Sequence, residues 1–439
     1  MLKAGPAGLR RRLPGPGGGS TFHPMDDPAA PGPPPTLCID ATRPAAGWRL
    51  WGMSLVERHL REGGRRGLDR AVVCVTAETA GSAGRFRPDL DRLHPQGRRI
   101  VEVAGCREAR RWMADHEGAV LFLEGDAVVD GRILDHLLAA GPGCLVRGEG
   151  AVAAHLSSAA PLAEQGGDGP WEPEPGSVRV FEAGDLDRYV PELRLTMAPF
   201  LVRLTDPRQL REIDRRMFHR TFKGVIDVVA RYGYYHLVRF LTRALSRTAV
   251  SPNLLTLLSV VGIWAAIPCF AAGRLGAGIL CAWAGVLLDS VDGKLARLTV
   301  NLSDRMGGFE HAAARPGLGL WVLALGWHLT EGRLLTPSPA ALACWTLVAA
   351  FLLDKLCTGG FKALFGRELF DARPFDAAFH LVAARRNVHL VVLTLGTALG
   401  AAEAAFQVMA WAMAATLAVH AARFAWIAAA GGREPGPHA

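Results

Sequence analysis

Hydrophobic positions divide this chain near residue 250. Before that point apolar residues come in short bursts between polar turns; after it they come in runs approaching the length needed to cross a bilayer. In the first part, the apolar runs at 71–76 and 119–123 predict strands, and 106–116 and 130–140 have helical character. Alternation of strand and helix predicts a soluble α/β domain with parallel strands over 36–215. Ligands of such sheets gather at the carboxyl ends of strands, where Glu124-Gly125-Asp126 stands. In the second part, spans are expected at 254–272, 277–291, 309–329, 340–356, 388–405 and 408–427. The second and fourth are short for a crossing that needs about 20 apolar residues. The predicted fold class is therefore an α/β domain followed by an all-α polytopic membrane domain of about six transmembrane helices over 253–430.

Between the two parts, residues 216–252 interleave Lys223, Arg231, Arg239, Arg243 and Arg247 with Tyr232, Tyr234, Tyr235 and Phe240. Cationic and aromatic residues ahead of a span predict a basic amphipathic segment lying in the membrane interface, with no need of nucleic acid as a partner. The loop after the fourth span carries Lys362, Arg367, Arg373, Arg385 and Arg386, against Arg274 and Arg333 on the other side. This asymmetry places the soluble part on the cytoplasmic face of the cell inner membrane. Residues 1–35, rich in Gly and Pro, and 431–439 are expected to be disordered tails. No apolar h-region follows Arg10-Arg11-Arg12, so the start does not read as a signal peptide.

Composition adds little. There are 49 basic and 41 acidic residues, a balance of +8 that suits phosphates or an anionic membrane surface. The 8 cysteines form no CxxC or Cys/His cluster and read as buried thiols, not a zinc site.

The chemistry concentrates in Asp289-Ser-Val-Asp292-Gly293-Lys-Leu-Ala296-Arg297, at the end of an apolar run. A carboxylate near the bilayer centre costs roughly 2.5–3.5 kcal/mol, so acids persist there mainly to bind an ion, relay protons or line a polar cavity. On a helix Asp289, Asp292 and Ala296 share one face. That pattern predicts a divalent-cation site with a small-residue floor for a ligand.

This stretch resembles the signature of the CDP-alcohol phosphotransferase family, DxxDGxxAR-x8-GxxxDxxxD. Ser251-Pro252-Asn253-Leu-Leu-Thr256 is similar to the family's PNxxT entry, and Arg385-Arg386-Asn387 resembles an RRN found in its soluble-domain fusions. The resemblance implies displacement of CMP from a CDP-alcohol donor by an alcohol acceptor, in phospholipid or inositol-phosphodiester synthesis, with Mg²⁺ or Mn²⁺, membrane lipids as partners and a homodimer as the expected assembly. It implies Asp289, Asp292 and Glu310 as metal ligands, and Gly293, Ala296, Arg297, Asn253 and Thr256 as substrate-binding residues. Three positions depart from the pattern: Met306 stands at a glycine, Glu310 at the third aspartate, and Ala314 at the fourth, the usual base. His311 is the neighbouring residue able to take a proton. A catalytically impaired relative, binding CDP-alcohol and metal as a scaffold, remains the alternative, and an ion-coupled transporter the third reading.

In the soluble part, Trp51-Gly-Met-Ser-Leu-Val-Glu57-Arg58-His-Leu resembles the GxPLIERxI stretch of sugar- and inositol-phosphate nucleotidyltransferases. Their phosphate loop corresponds to Asp40-Ala-Thr-Arg43-Pro-Ala-Ala-Gly47, which has one glycine and no following lysine. The whole is similar to bifunctional enzymes of inositol-phosphodiester synthesis, with a degenerate first domain.

Overall fold

Short apolar runs become strands here because they are covered on both faces, as in any sheet with helical crossovers. A computed structural model describes residues 33–76, 100–163, 176–190, 195–222, 224–302 and 304–430. The expected tails before 33 and after 430 lie outside the described residues. In chain order the strands used below are β1 (Thr36–Asp40), the hairpin β2 (Arg49–Leu50) and β3 (Met53–Ser54), β4 (Arg70–Val75), β5 (Ile100–Gly105), β6 (Val120–Glu124), β7 (Ala127–Val129), β8 (Cys144–Arg147), β9 (Val152–Leu156) and β10 (Arg179–Glu182). The main sheet runs β10-β8-β9-β6-β1-β4-β5, and every pairing is parallel except the two made by β9. The expected parallel α/β sheet thus forms, with one antiparallel strand inserted.

Helices α1 (Leu55–Arg65), α2 (Cys106–Asp115) and α3 (Gly131–Ala140) belong to this part. Ser54 caps α1, accepting from Glu57 N at 3.1 Å. Two linking helices follow, α4 (Gln209–His219) and α5 (Tyr235–Leu245).

The apolar half is helical: α6 (Pro252–Ala271), α7 (Leu275–Leu298), α8 (Asp304–Leu329), α9 (Pro339–Phe365), the short α10 (Pro374–Val382), α11 (Arg386–Ala398) and α12 (Ala402–Ala429). Ser251 and Ser338 cap α6 and α9, each with proline at the first helical position, where its missing N–H costs nothing. Among the described residues four helices, α6, α7, α9 and α12, are long and apolar enough to cross a membrane. The expected third span, 309–329, falls on α8, and the fifth, 388–405, on α11; neither is among these four. Helix α11 has only 13 residues, and the chain turns at Gly400, φ 70°, before α12 begins at Ala402. The second and fourth spans, by contrast, are longer than their apolar runs, with 24 and 27 residues. Polar residues at their ends continue the helix instead of ending it.

Two arginines of α1 join the halves. Arg58 Nη2 donates to the carbonyl of Leu298, and Arg61 Nη1 donates to that of Thr299 at 3.0 Å. These are last-turn carbonyls of α7, which lack partners within their own helix. Burial pushes the Arg58 guanidinium down to about 10, so it still carries its charge at neutral pH.

Candidate functional site

The site begins with a close helix crossing. A Cβ placed on Gly262 of α6 would lie 2.9 Å from Gly285 N of α7, and one on Gly285 would lie 2.9 Å from Ile263 N. Backbone therefore packs on backbone. Roughly two turns nearer the α/β part, this proximity brings Thr256 Oγ1 to Asp292 Oδ2 at 2.6 Å, in a position where both residues are buried.

On its other flank α7 is tied to α11 by Trp283 Nε1, which donates to Thr394 Oγ1 at 3.0 Å. Again about two turns toward the α/β part, Arg386 Nη2 reaches Asp289 Oδ2 at 2.6 Å. The next residue, Asn387, donates to Asp227 Oδ2 at 2.7 Å and to the Tyr234 hydroxyl at 2.9 Å. The linker between the halves is thereby drawn into the site, through residues whose role the sequence reading left unassigned.

Of the residues expected here, the structure brings Asp289, Asp292 and Thr256 together with Arg386 and Asn387. Gly293 and Ala296 lie on the same helix. The Arg297 guanidinium lies 3.5 Å from where a Cβ on Gly293 would stand, an ordinary van der Waals distance. Asn253 is exposed at the start of α6. Glu310 and His311 fall on α8, but their side chains lie outside the described residues; Ala314, one turn on from Glu310, is buried. Among the described residues no group of three or more His, Cys, Asp or Glu side chains stands together as a metal cluster.

A cavity of about 970 Å³ opens beside Arg386, Asn387 and Asp227 and extends between α8, α9, α11 and α12. Its inner wall is apolar, with Trp321, Leu347 and Met413. Within it His420 of α12 meets Asp354 of α9, Nδ1 to Oδ1 at 2.6 Å. Both are nearly buried, at 12% and 7% side-chain exposure, which makes this a deliberate pair and not a surface contact. The sequence reading missed it. An ionisable residue in each of two apolar runs was the available signal, since such groups inside a bundle pair with one another.

At the strand ends of the sheet, Asp126 is enclosed by arginines. Arg43 Nη1 lies 3.4 Å from its Oδ1 and Arg203 Nε 3.6 Å from its Oδ2, and Arg203 also contacts Glu124. Burial pushes Glu124 up to about 7 against the pull of Arg203 and Arg43. Asp126 is raised for the same reason. Both carboxylates are thus engaged by the protein's own cations, the arrangement of a structural ion-pair network.

No family model matches the chain, and neither does any curated protein. Among solved structures, it is similar to Mycobacterium tuberculosis phosphatidylinositol phosphate synthase with CDP-DAG bound, at 18% identity and a TM-score of 0.33, covering 43% of this chain and 94% of that one. The apo form of the same synthase matches equally, at 18% identity and a TM-score of 0.33, over 42% of this chain and 94% of the other.

Proposed function

We propose that the chain is an integral-membrane phosphotransferase that moves a phospho-alcohol group from a CDP-alcohol to a hydroxyl acceptor and releases CMP. The observation that carries this reading is the meeting of Asp289 and Asp292 with Thr256 and Arg386 at one end of the apolar helices.

The residues fit a divalent cation. Two carboxylates one turn apart supply hard oxygens, the ligand type that Mg²⁺ and Mn²⁺ take, and Mg²⁺ ordinarily needs only one or two carboxylates beside substrate phosphates and water. Asp289 and Asp292 would hold it, with Glu310 as the third candidate. When bound, the cation would offset pyrophosphate charge and that of the leaving phosphate.

The chain's own groups do the rest. Thr256 fixes the carboxylate of Asp292, and Arg386 balances Asp289. Gly293 and Ala296 keep one side of α7 low enough for a nucleotide, and Arg297 faces phosphate charge. The acceptor hydroxyl oxygen bonds to the phosphorus that carries the alcohol, the bond from that phosphorus to the bridging oxygen breaks, and CMP leaves with the electron pair. The hydroxyl proton goes to His420, whose ring is held by Asp354 and which lines the same cavity as Arg386. This assignment supplies a base where Ala314 cannot.

The test is CMP release by full-length protein from a panel of CDP-alcohols with Mg²⁺ or Mn²⁺, beside Asp292→Ala. Turnover that the variant abolishes supports the reading. No release from any donor, with CDP-alcohol binding retained, would favour the scaffold alternative, which Ala314 and the Arg386–Asp289 pair already recommend.

A further inference from the structure

A second cleft, of about 580 Å³, lies between the α/β part and the linking helices, lined by Arg49 and Gly52 of the β2–β3 hairpin, Arg211 and Asp214 of α4, and Arg243 and Arg247 at the end of α5. Four guanidiniums share it with one carboxylate. Asp214 is already engaged, by Arg239 at 2.7 Å and Arg243 at 3.5 Å, and Arg49 donates to Gly52 O at 3.1 Å. Among the described residues Arg211 and Arg247 make no side-chain hydrogen bond or ion pair. Two exposed guanidiniums therefore face this hollow with their donors unspent.

The walls are held in place without a ligand. Trp51 and Gly52 turn the hairpin at φ 52° and 81°, and a Cβ on Gly52 would lie 1.7 Å from Ser246 O. Only glycine lets the hairpin seat on the end of α5. Trp51 stacks on Phe218 of α4 with centroids 5.8 Å apart, which fixes the third wall. From Arg247 to Pro252, the first residue of α6, the chain spans at most about 18 Å. The cleft therefore lies within reach of the headgroup layer where α6 enters the membrane.

We propose that this cleft binds a phosphate-bearing anion at the membrane surface, with Arg211 and Arg247 gripping the phosphate oxygens. Planar guanidinium forks match phosphate oxygens in pairs. The volume falls in the range of small-molecule sites and has room for a glycerol or sugar attached to the phosphate. The inference stands apart from the phosphotransferase reading, because none of its residues belongs to that site.

The experiment is thermal unfolding of the full-length protein in phosphatidylcholine nanodiscs under two additions. One replaces a minor part of the lipid with phosphatidic acid; the other adds glycerol 3-phosphate in solution. At least one should raise the midpoint by a few degrees, since a ligand that binds only the folded state stabilises it. A rise with phosphatidic acid alone assigns a lipid headgroup, and a rise with glycerol 3-phosphate assigns a soluble phosphate. The rise should vanish in Arg211→Gln/Arg247→Gln, whose affinity falls at least about tenfold, and return in part in Arg211→Lys/Arg247→Lys. The glutamine variant should melt like wild type without additions, as neither side chain has a partner to lose. No shift in the wild type, or an equal shift in the glutamine variant, overturns the proposal.

Discussion

Arg386 Nη2 lies 2.6 Å from Asp289 Oδ2, so the first aspartate of the DxxDG motif carries its counter-ion from a helix far along the chain. The pair explains how two carboxylates can stand one turn apart at the end of an apolar helix. It also sets up a competition, since a divalent cation at Asp289 must share or displace the guanidinium.

Replacing Arg386 with Gln exposes that competition. In cation-free buffer the variant should lose about 1–3 kcal/mol, the cost of leaving a charged partner unsatisfied. Mg²⁺ should then raise its melting midpoint more than it raises that of the wild type. Equal Mg²⁺ shifts in both proteins would show that the cation does not touch Asp289.

Gly285→Leu tests the crossing on which the site depends. The added side chain would meet Ile263 and the carbonyl of Ser259 at about 2.9 Å, where backbone has no room to yield. A loss of about 1–3 kcal/mol or more is expected, read as reduced folded yield in size-exclusion chromatography. The Thr256–Asp292 bond should weaken with it, raising the Mg²⁺ concentration that half-saturates CMP release.

His420→Gln and Asp354→Asn address proton transfer. Each should lower CMP release by about 10²–10⁴-fold, the range for a lost general base, while CDP-alcohol binding persists. Unchanged rates would return the role of base to His311.

Stability against pH has a worked sign. Glu124 moves from 4.5 up to about 7 on folding, so the folded state holds its proton longer and stability falls as pH rises across that interval. His59 moves from 6.5 down to about 4 through burial and the adjacent Arg58, so its contribution is full above 6.5 and is lost as pH falls. The two slopes oppose between about 4.5 and 6.5, and only the Glu124 loss remains from there to about 7. Glu124→Gln should uncover the rising His59 slope, measured as denaturant midpoints between pH 4.5 and 7.5. A variant with the wild-type profile would refute the assignment.

Local pattern was enough to read the alternating strands and helices before residue 215 and the face shared by Asp289 and Asp292. Each of these follows from residues a few positions apart. The partners of those aspartates were not legible in the same way. Arg386, Asn387 and Tyr234 meet at the site only because Trp283 joins Thr394 and because the linker folds back, and neither event leaves a periodic trace. The same holds for the end of α11: the break between the fifth and sixth expected spans falls at Gly400 instead of after residue 405, because one glycine at positive φ turns the chain inside the apolar run.

The bonds from Arg58 and Arg61 to Leu298 and Thr299 have a mechanical meaning. Water could hydrate the same carbonyls, but it could not resist movement of α7 along its own axis. Seated on two guanidiniums from the sheet's first helix, α7 is held at a set height. The α/β part therefore acts as a depth gauge for Asp289 and Asp292, a service that requires it to bind nothing at all.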